Sequence, residues 1–331
     1  MLRKRFLALV KFLIFLGLGI FIVWWMARGI DDKGWEQIRL SLRKARFILV
    51  VPVFVLLVLS HFFRALRWKM LMEPLGYKPS TFNVFNAVLV GYMANLAFPR
   101  LGEVLKCTLL AKYEKTGPDK LVGTIVAERA VDLVSLFIVF FLTIILQVDI
   151  VGHYAFELWE QISRKATGSI PLMISIIVLL TIAIWLLIRW IKRHPENIVL
   201  QKIGGFISGI WQGLISIRYV KNKGLFILHS VMIWILYYMG TRIGFYAMSE
   251  VEHLGYKEAL SVLSFGSVGM IVTQGGIGAY QYAVQETLQL YQIDKVIGFT
   301  YGWVLWMAQT IVILIGGLFS FIVLPLYNRN K

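Results

Sequence analysis

Asn95-Leu96-Ala97-Phe98-Pro99-Arg100-Leu101-Gly102-Glu103-Val104-Leu105-Lys106 interrupts an apolar run that begins at Val84. Pro99 removes a backbone donor and Gly102 frees the chain, so one helix ends here and another begins. Arg100, Glu103 and Lys106 stand at the break. A second charged group, Glu128, Arg129 and Asp132, lies inside the next apolar segment. A charge at membrane depth costs about 3 kcal/mol or more, so such residues face a cavity or a partner. The plainer reading of the first group is an interfacial turn with its charges among lipid headgroups.

Composition sets the class. Of 331 residues 58% are hydrophobic, and the mean hydropathy is +0.73. A soluble domain of this size cannot bury so much apolar surface, so the chain reads as an all-α integral membrane protein. The net charge of +16 would suggest nucleic acid in a soluble protein. Here much of the Lys and Arg lies between apolar runs, which points to topology and anionic headgroups and away from nucleic acid. A single cysteine, Cys107, excludes an intramolecular disulfide and a multi-cysteine metal site. The five histidines show no paired ligand spacing, so no metal or other cofactor is expected.

Taken in order, Phe6–Met26 is the first span, a retained anchor with Trp24 and Trp25 at the interface. Gly34–Arg46 is amphipathic, with Trp35, Ile38, Leu42 and Ala45 on one face, and lies in the interface plane. Phe47–Phe63 spans and is closed by Arg64, Arg67 and Trp68 as an interfacial end. Thr81–Phe98 and Val104–Tyr113 flank the break, and Leu121–Val148 and Ile170–Ile188 span. Ile198–Val220 is a surface helix or an elbow. Leu225–Met248 spans. Ala259–Val272 leads into Thr273-Gln-Gly-Gly-Ile-Gly278, and Ala279–Tyr291 follows. Val296–Tyr327 holds the last of six spans. The whole chain, 1–331, reads as a single transmembrane domain.

Topology decides how the two breaks are read. If every apolar run spans, the loop with Arg189, Lys192, Arg193, Lys202, Arg218, Lys221 and Lys223 faces outside, against the cytoplasmic bias of Lys and Arg. Making Thr81–Tyr113 a re-entrant hairpin from the cytoplasmic side brings that loop inside. A second hairpin, Ala259–Tyr291, then enters from outside, and both termini are cytoplasmic. The six basic residues from Arg28 to Arg46 resist this assignment. Residues 47–148 and 225–327 become inverted halves, a plan in which broken helices meet near the midplane.

Each charged or polar group has a structural reading beside the functional one. Arg100 at a helix start suits an anionic group, since free N–H groups and a guanidinium fork both bind phosphate oxygens; pairing with Glu103, or of Glu103 with Lys106, would merely fix the hairpin. Arg129 reaches Asp132 at i, i+3, which makes Glu128, Arg129 and Asp132 either a structural triad or a cavity wall. Gly275, Gly276 and Gly278 permit a tight turn, and Gln274, Gln281 and Gln285 follow at near-helical spacing. They either line a polar cavity or bond neighbouring helices. His61 and His229 are read as structural.

Asn95-x3-Pro99-Arg100-x-Gly102-Glu103-x2-Lys106, then Glu128-Arg129-x2-Asp132, then the Gly-Gly-x-Gly break resembles the lysylphosphatidylglycerol synthase transmembrane, or flippase-like, family. Arg64-x2-Arg67-Trp68 is similar to the same family. The resemblance implies a multi-pass protein of the cell inner membrane. In two-domain lysyl-lipid synthases such a module moves the modified lipid, and a separate soluble domain transfers the amino acid; no counterpart of that domain is expected in this chain. The family often has Pro before the glycines and Glu after them, where this chain has Gln274 and Gln281.

The reading is a translocase for an anionic phospholipid or polyprenyl-linked lipid, not an enzyme, since no nucleophile–base pair, metal set or nucleotide cradle stands out. Asn95, Arg100, Glu103, Lys106, Glu128, Arg129, Asp132, Gln274, Gly275, Gly276, Gly278, Gln281 and Gln285 are its expected headgroup or cavity residues. The alternative is an accessory membrane subunit of a lipid-modifying or glycosyl-transferring partner enzyme.

Overall fold

Helix signals in the sequence become ten helices among the described residues, 2–98, 100–148 and 217–329 of a computed structural model. Pro99, the predicted span at 170–188 and most of the basic loop after it lie outside them. The helices are α1 (Leu2–Arg28), α2 (Asp32–Lys44), α3 (Val50–Met72), α4 (Thr81–Ala97), α5 (Leu101–Glu114), α6 (Pro118–Leu146), α7 (Lys223–Phe245), α8 (Tyr256–Val272), α9 (Ala279–Gln289) and α10 (Lys295–Tyr327). Side-chain caps start several of them. Asp31 accepts from Gly34 N–H at 2.8 Å, Asn222 from Leu225 N–H at 3.0 Å and Asp294 from Val296 N–H at 2.9 Å.

Four helices, α3, α6, α7 and α10, are long and apolar enough to cross a membrane. The α1–α2 pair, bent by 106°, passes as a fifth span. By contrast α4 and α9 have 17 and 11 residues, or roughly 25 and 16 Å of helix at about 1.5 Å per residue. Both fall short of the ~30 Å hydrocarbon core.

The helices pair in a regular pattern. α3 packs on α7, α4 on α5, α8 on α9, α9 on α10 and α5 on α6. α10 also packs on α3 and α4, while α6 packs on α7 and α8. At one end of the bundle, Arg46 N–H donates to Ala247 O at 2.8 Å, and Gln147 donates to Lys257 O at 2.6 Å. Arg46 also pairs with Glu252 at 3.0 Å, and Ser41 bonds Glu250. Burial pushes the Glu250 carboxyl up, but hydrogen bonds from Ser41, its own backbone N–H and Ser249 outweigh it and hold the group below its ordinary value. At the other end, Glu114 accepts from Ser80 N–H at 2.9 Å and Asn83 at 2.6 Å, and Asn83 and Asn328 exchange hydrogen bonds.

α4 and α5 therefore form a hairpin whose two open ends lie together at the second end. α8 and α9 form another, open at the first end, where Ser261 and Tyr291 are 2.9 Å apart. Close backbone packing makes the first hairpin. A Cβ on Gly102 would lie 1.8 Å from Gly91 O, so only glycine fits where α5 crosses α4. Two apolar clusters hold the ends. Trp68, Leu71, Leu110, Leu121 and Phe226 belong to one, and Phe245, Met248, Val284, Leu288 and Tyr301 to the other.

One boundary differs from the sequence expectation. α3 does not close at Arg64, Arg67 and Trp68; it runs on to Met72 and buries all three. The terminal guanidinium nitrogens of Arg64 and Arg67 and the Trp68 indole N–H find partners inside the bundle, so the helix has no reason to end there. In the amphipathic helix α2, Gly34 and Ser41 are the buried positions, and Trp35 stays 45% exposed.

Candidate functional site

The two hairpin tips meet inside the bundle. Gln274 Nε2 donates to Asn95 O at 2.6 Å. The Asn95 side chain, in turn, accepts from Gly102 N–H at 2.8 Å and so caps α5. The second tip is a turn with positive φ at Gly275, Gly276 and Gly278 (61°, 74° and 78°). Trp306 Nε1 holds it through Gly275 O at 2.7 Å.

Beside this junction lies a cavity of about 450 Å³. Its walls come from α3, α4, α6, α7, α8 and α10, together with Tyr280 and both hairpin tips. Arg100, Arg129, Asn95, Gln274 and Gly275 line it, and no Asp or Glu does among the described residues. Arg100 adopts a left-handed conformation, φ 65°, which for a non-glycine residue costs on the order of 1–3 kcal/mol. Its side chain is exposed to the cavity and has no hydrogen bond or ion pair among the described residues.

A charge network adjoins the cavity. Asp132 receives Arg64 on one carboxylate oxygen and Arg67 on the other. Glu128 receives Lys106 at 2.6 Å and lies 3.6 Å from Arg64. Lys106 also sits 4.4 Å over the Trp68 ring, and Trp68 Nε1 donates to Thr124 at 2.8 Å. Glu103 accepts from Arg129 at 2.8 and 3.0 Å. A recess of about 10 Å³ between Tyr92, Asn95, Glu103, Lys106, Glu128 and Arg129 shares Tyr92, Asn95 and Arg129 with the cavity and has room for about one water.

The partners differ from those the spacing implies. Arg129 does not pair with Asp132; it bonds Glu103 across the α5–α6 interface, while α3 supplies the partners of Asp132. Glu103 and Lys106 do not pair with each other, and Arg100 stands apart from the network. Spacing along one helix cannot reveal which neighbouring helix offers a better geometry. Arg64 and Arg67, which the sequence places at an interface, are instead buried beside the site. Their i, i+3 spacing within an unbroken helical pattern was the available signal.

Several predicted cavity residues point elsewhere. Gln281 is fully buried against Gly302 of α10, with Oε1 accepting from Gly278 N–H at 2.8 Å and Nε2 without a partner among the described residues. Gln285 packs on Gly298 and donates to Glu286 at 3.0 Å. Both lie one face away from Tyr280, because successive helical residues turn by about 100°. Gly276 and Gly278 serve packing. A Cβ on Gly276 would meet Met270 Sδ at 2.4 Å, and one on Gly278 would meet Gly19 O of α1 at 2.4 Å. His61, Tyr237 and Gln309 line the cavity without having been singled out for it.

No solved structure matches the chain significantly. It is 25% identical over 251 residues to UPF0104 membrane protein MJ1595 of Methanocaldococcus jannaschii, an alignment covering 69% of this chain and 70% of that protein. The family model described as the lysylphosphatidylglycerol synthase TM region matches residues 8–317. With nearly its whole length matched, this multi-pass membrane chain belongs to the lysylphosphatidylglycerol synthase TM region family.

Proposed function

We propose that the protein is a flippase-like translocase for a phospholipid or lipid-linked precursor with an anionic headgroup. The headgroup passes through the cavity while the tails stay in the bilayer. Arg100 carries the reading. Its backbone is strained, and its guanidinium, unpaired among the described residues, stands on a cavity whose described lining holds no carboxylate. A guanidinium offers a planar fork to phosphate oxygens, and the positive end of the α5 dipole lies beside it.

The helix pairing supports two inverted halves with opposed re-entrant hairpins. Exchanging α3 with α7, α4 with α8, α5 with α9 and α6 with α10 converts most of the packed pairs into one another. Short hairpin helices that open at opposite ends and meet at Gln274 and Asn95 fit the same plan. The backbone groups freed at the tips are tolerable at membrane depth because protein and cavity surround them.

Arg100→Gln is expected to reduce the movement of labelled anionic lipid severalfold in vesicles containing the purified protein, with normal expression and monodispersity. An unchanged rate would leave Arg100 a purely structural residue. Movement by the protein alone would also separate this reading from an accessory role.

The proposed topology places both termini in the cytoplasm and the protein in the cell inner membrane. Residue 221 is exposed at the end of the bundle that then faces inward. Lys221→Cys, in a background lacking Cys107, should react with an impermeant thiol reagent only after the cell is opened. Reaction in intact cells overturns the orientation.

A further inference from the structure

Besides the arginines, the cavity wall carries a different chemistry. His61 of α3, Tyr237 and Thr241 of α7, Ser267 of α8, Tyr280 of α9 and Gln309 of α10 all line it. These groups keep hydrogen-bonding capacity. Thr241 donates to Tyr237 O at 3.0 Å, which leaves its oxygen free to accept. Tyr237 and Tyr280 have only long contacts, 3.5 Å from Arg64 and 3.4 Å from Gln309. Ser267 has no side-chain partner among the described residues.

From this wall we infer that the cavity selects a phosphodiester headgroup whose distal part is an uncharged polyol or sugar, and rejects amine-bearing headgroups. The inference rests on the translocase reading and adds the substrate class. At about 450 Å³, the cavity equals the liquid volume of roughly fifteen waters at about 30 Å³ each. A phosphate held by Arg100 and Arg129 fills only part of that. The remainder is walled in large part by apolar side chains such as Leu57, Leu263, Met270 and Ile313, and the polar groups set among them are donors and acceptors that suit hydroxyl groups, which do both. A site built to bond hydroxyls discriminates strongly against an analogue lacking them, because its own polar groups are then left unpaired. An ammonium group would enter beside Arg100, which has no ion pair among the described residues, and no described lining residue is a carboxylate that could receive it.

The test uses the full-length protein in vesicles with four acyl-labelled lipids: phosphatidylglycerol, phosphatidic acid, phosphatidylethanolamine and lysylphosphatidylglycerol. Phosphatidylglycerol is expected to move at least severalfold faster than each of the others. Ser267→Ala with Gln309→Leu should bring the ratio of phosphatidylglycerol to phosphatidic acid toward one. Equal or faster movement of phosphatidic acid removes the polyol requirement. Equal or faster movement of either amine-bearing lipid overturns the inference and leaves the translocase reading standing. No movement of any lipid above protein-free vesicles overturns both.

Discussion

Asp132→Ala should be strongly destabilising. The substitution strands Arg67 and leaves Arg64 only its 3.6 Å contact with Glu128, and the two arginine side chains are 0% and 9% exposed. Removing one partner of a buried ion pair costs about 3–5 kcal/mol, against a total stability of roughly 5–15 kcal/mol for a typical domain. The expected result is aggregation in size-exclusion chromatography, or a melting temperature lowered by roughly 10 °C. Arg129→Gln provides the contrast. Arg129 is 56% exposed and its partner Glu103 28%, a pairing worth about 0–1 kcal/mol to the fold. Its loss should alter lipid movement and leave thermal stability near the parent value. The reverse order of stabilities would mean that the charge network is assigned to the wrong partners.

Gly102→Ala is expected to be nearly as damaging, for a steric reason. The added methyl would meet Gly91 O at 1.8 Å and Asn95 Cγ at 2.8 Å. Neither neighbour is the free end of a flexible side chain, so α4 and α5 must separate and the cap from Asn95 to Gly102 N–H must break. The cost should exceed the about 1–3 kcal/mol of ordinary overpacking. Gly316→Ala is the control, because its methyl would rest on Leu89 at an ordinary 3.5 Å. Thermal melting of the two variants decides the matter. Equal melting temperatures would show that the hairpin does not depend on this crossing.

Much of the fold is legible in the sequence because membrane helices announce themselves by length and hydropathy. The helix boundaries around both breaks follow from Pro99, Gly102 and the glycines after Gln274. What could not be read was which helix faces which. Arg64 looks the same in sequence whether it ends a span or lies buried against Asp132; only the packing of α3 on α6 decides. The glutamines after the second break show the same limit. Gln281 and Gln285 share a face, but the approach of α10 at Gly302 and Gly298 turns that face away from the cavity.

The α5–α6 contact sets the register of the first hairpin. Along α5 the charges read negative then positive, Glu103 then Lys106, and each meets its opposite on α6, Arg129 and Glu128. Three residues of helix measure about 4.5 Å. Sliding α5 by that distance one way would bring Lys106 to Arg129, and sliding it the other way would bring Glu103 to Glu128. Either slip replaces an attraction with a repulsion on the order of 4 kcal/mol at 4 Å and an effective dielectric of about 20. The four side chains thus act as an indexed stop, which allows α5 to tilt about the Gly91–Gly102 crossing and opposes movement along its own axis.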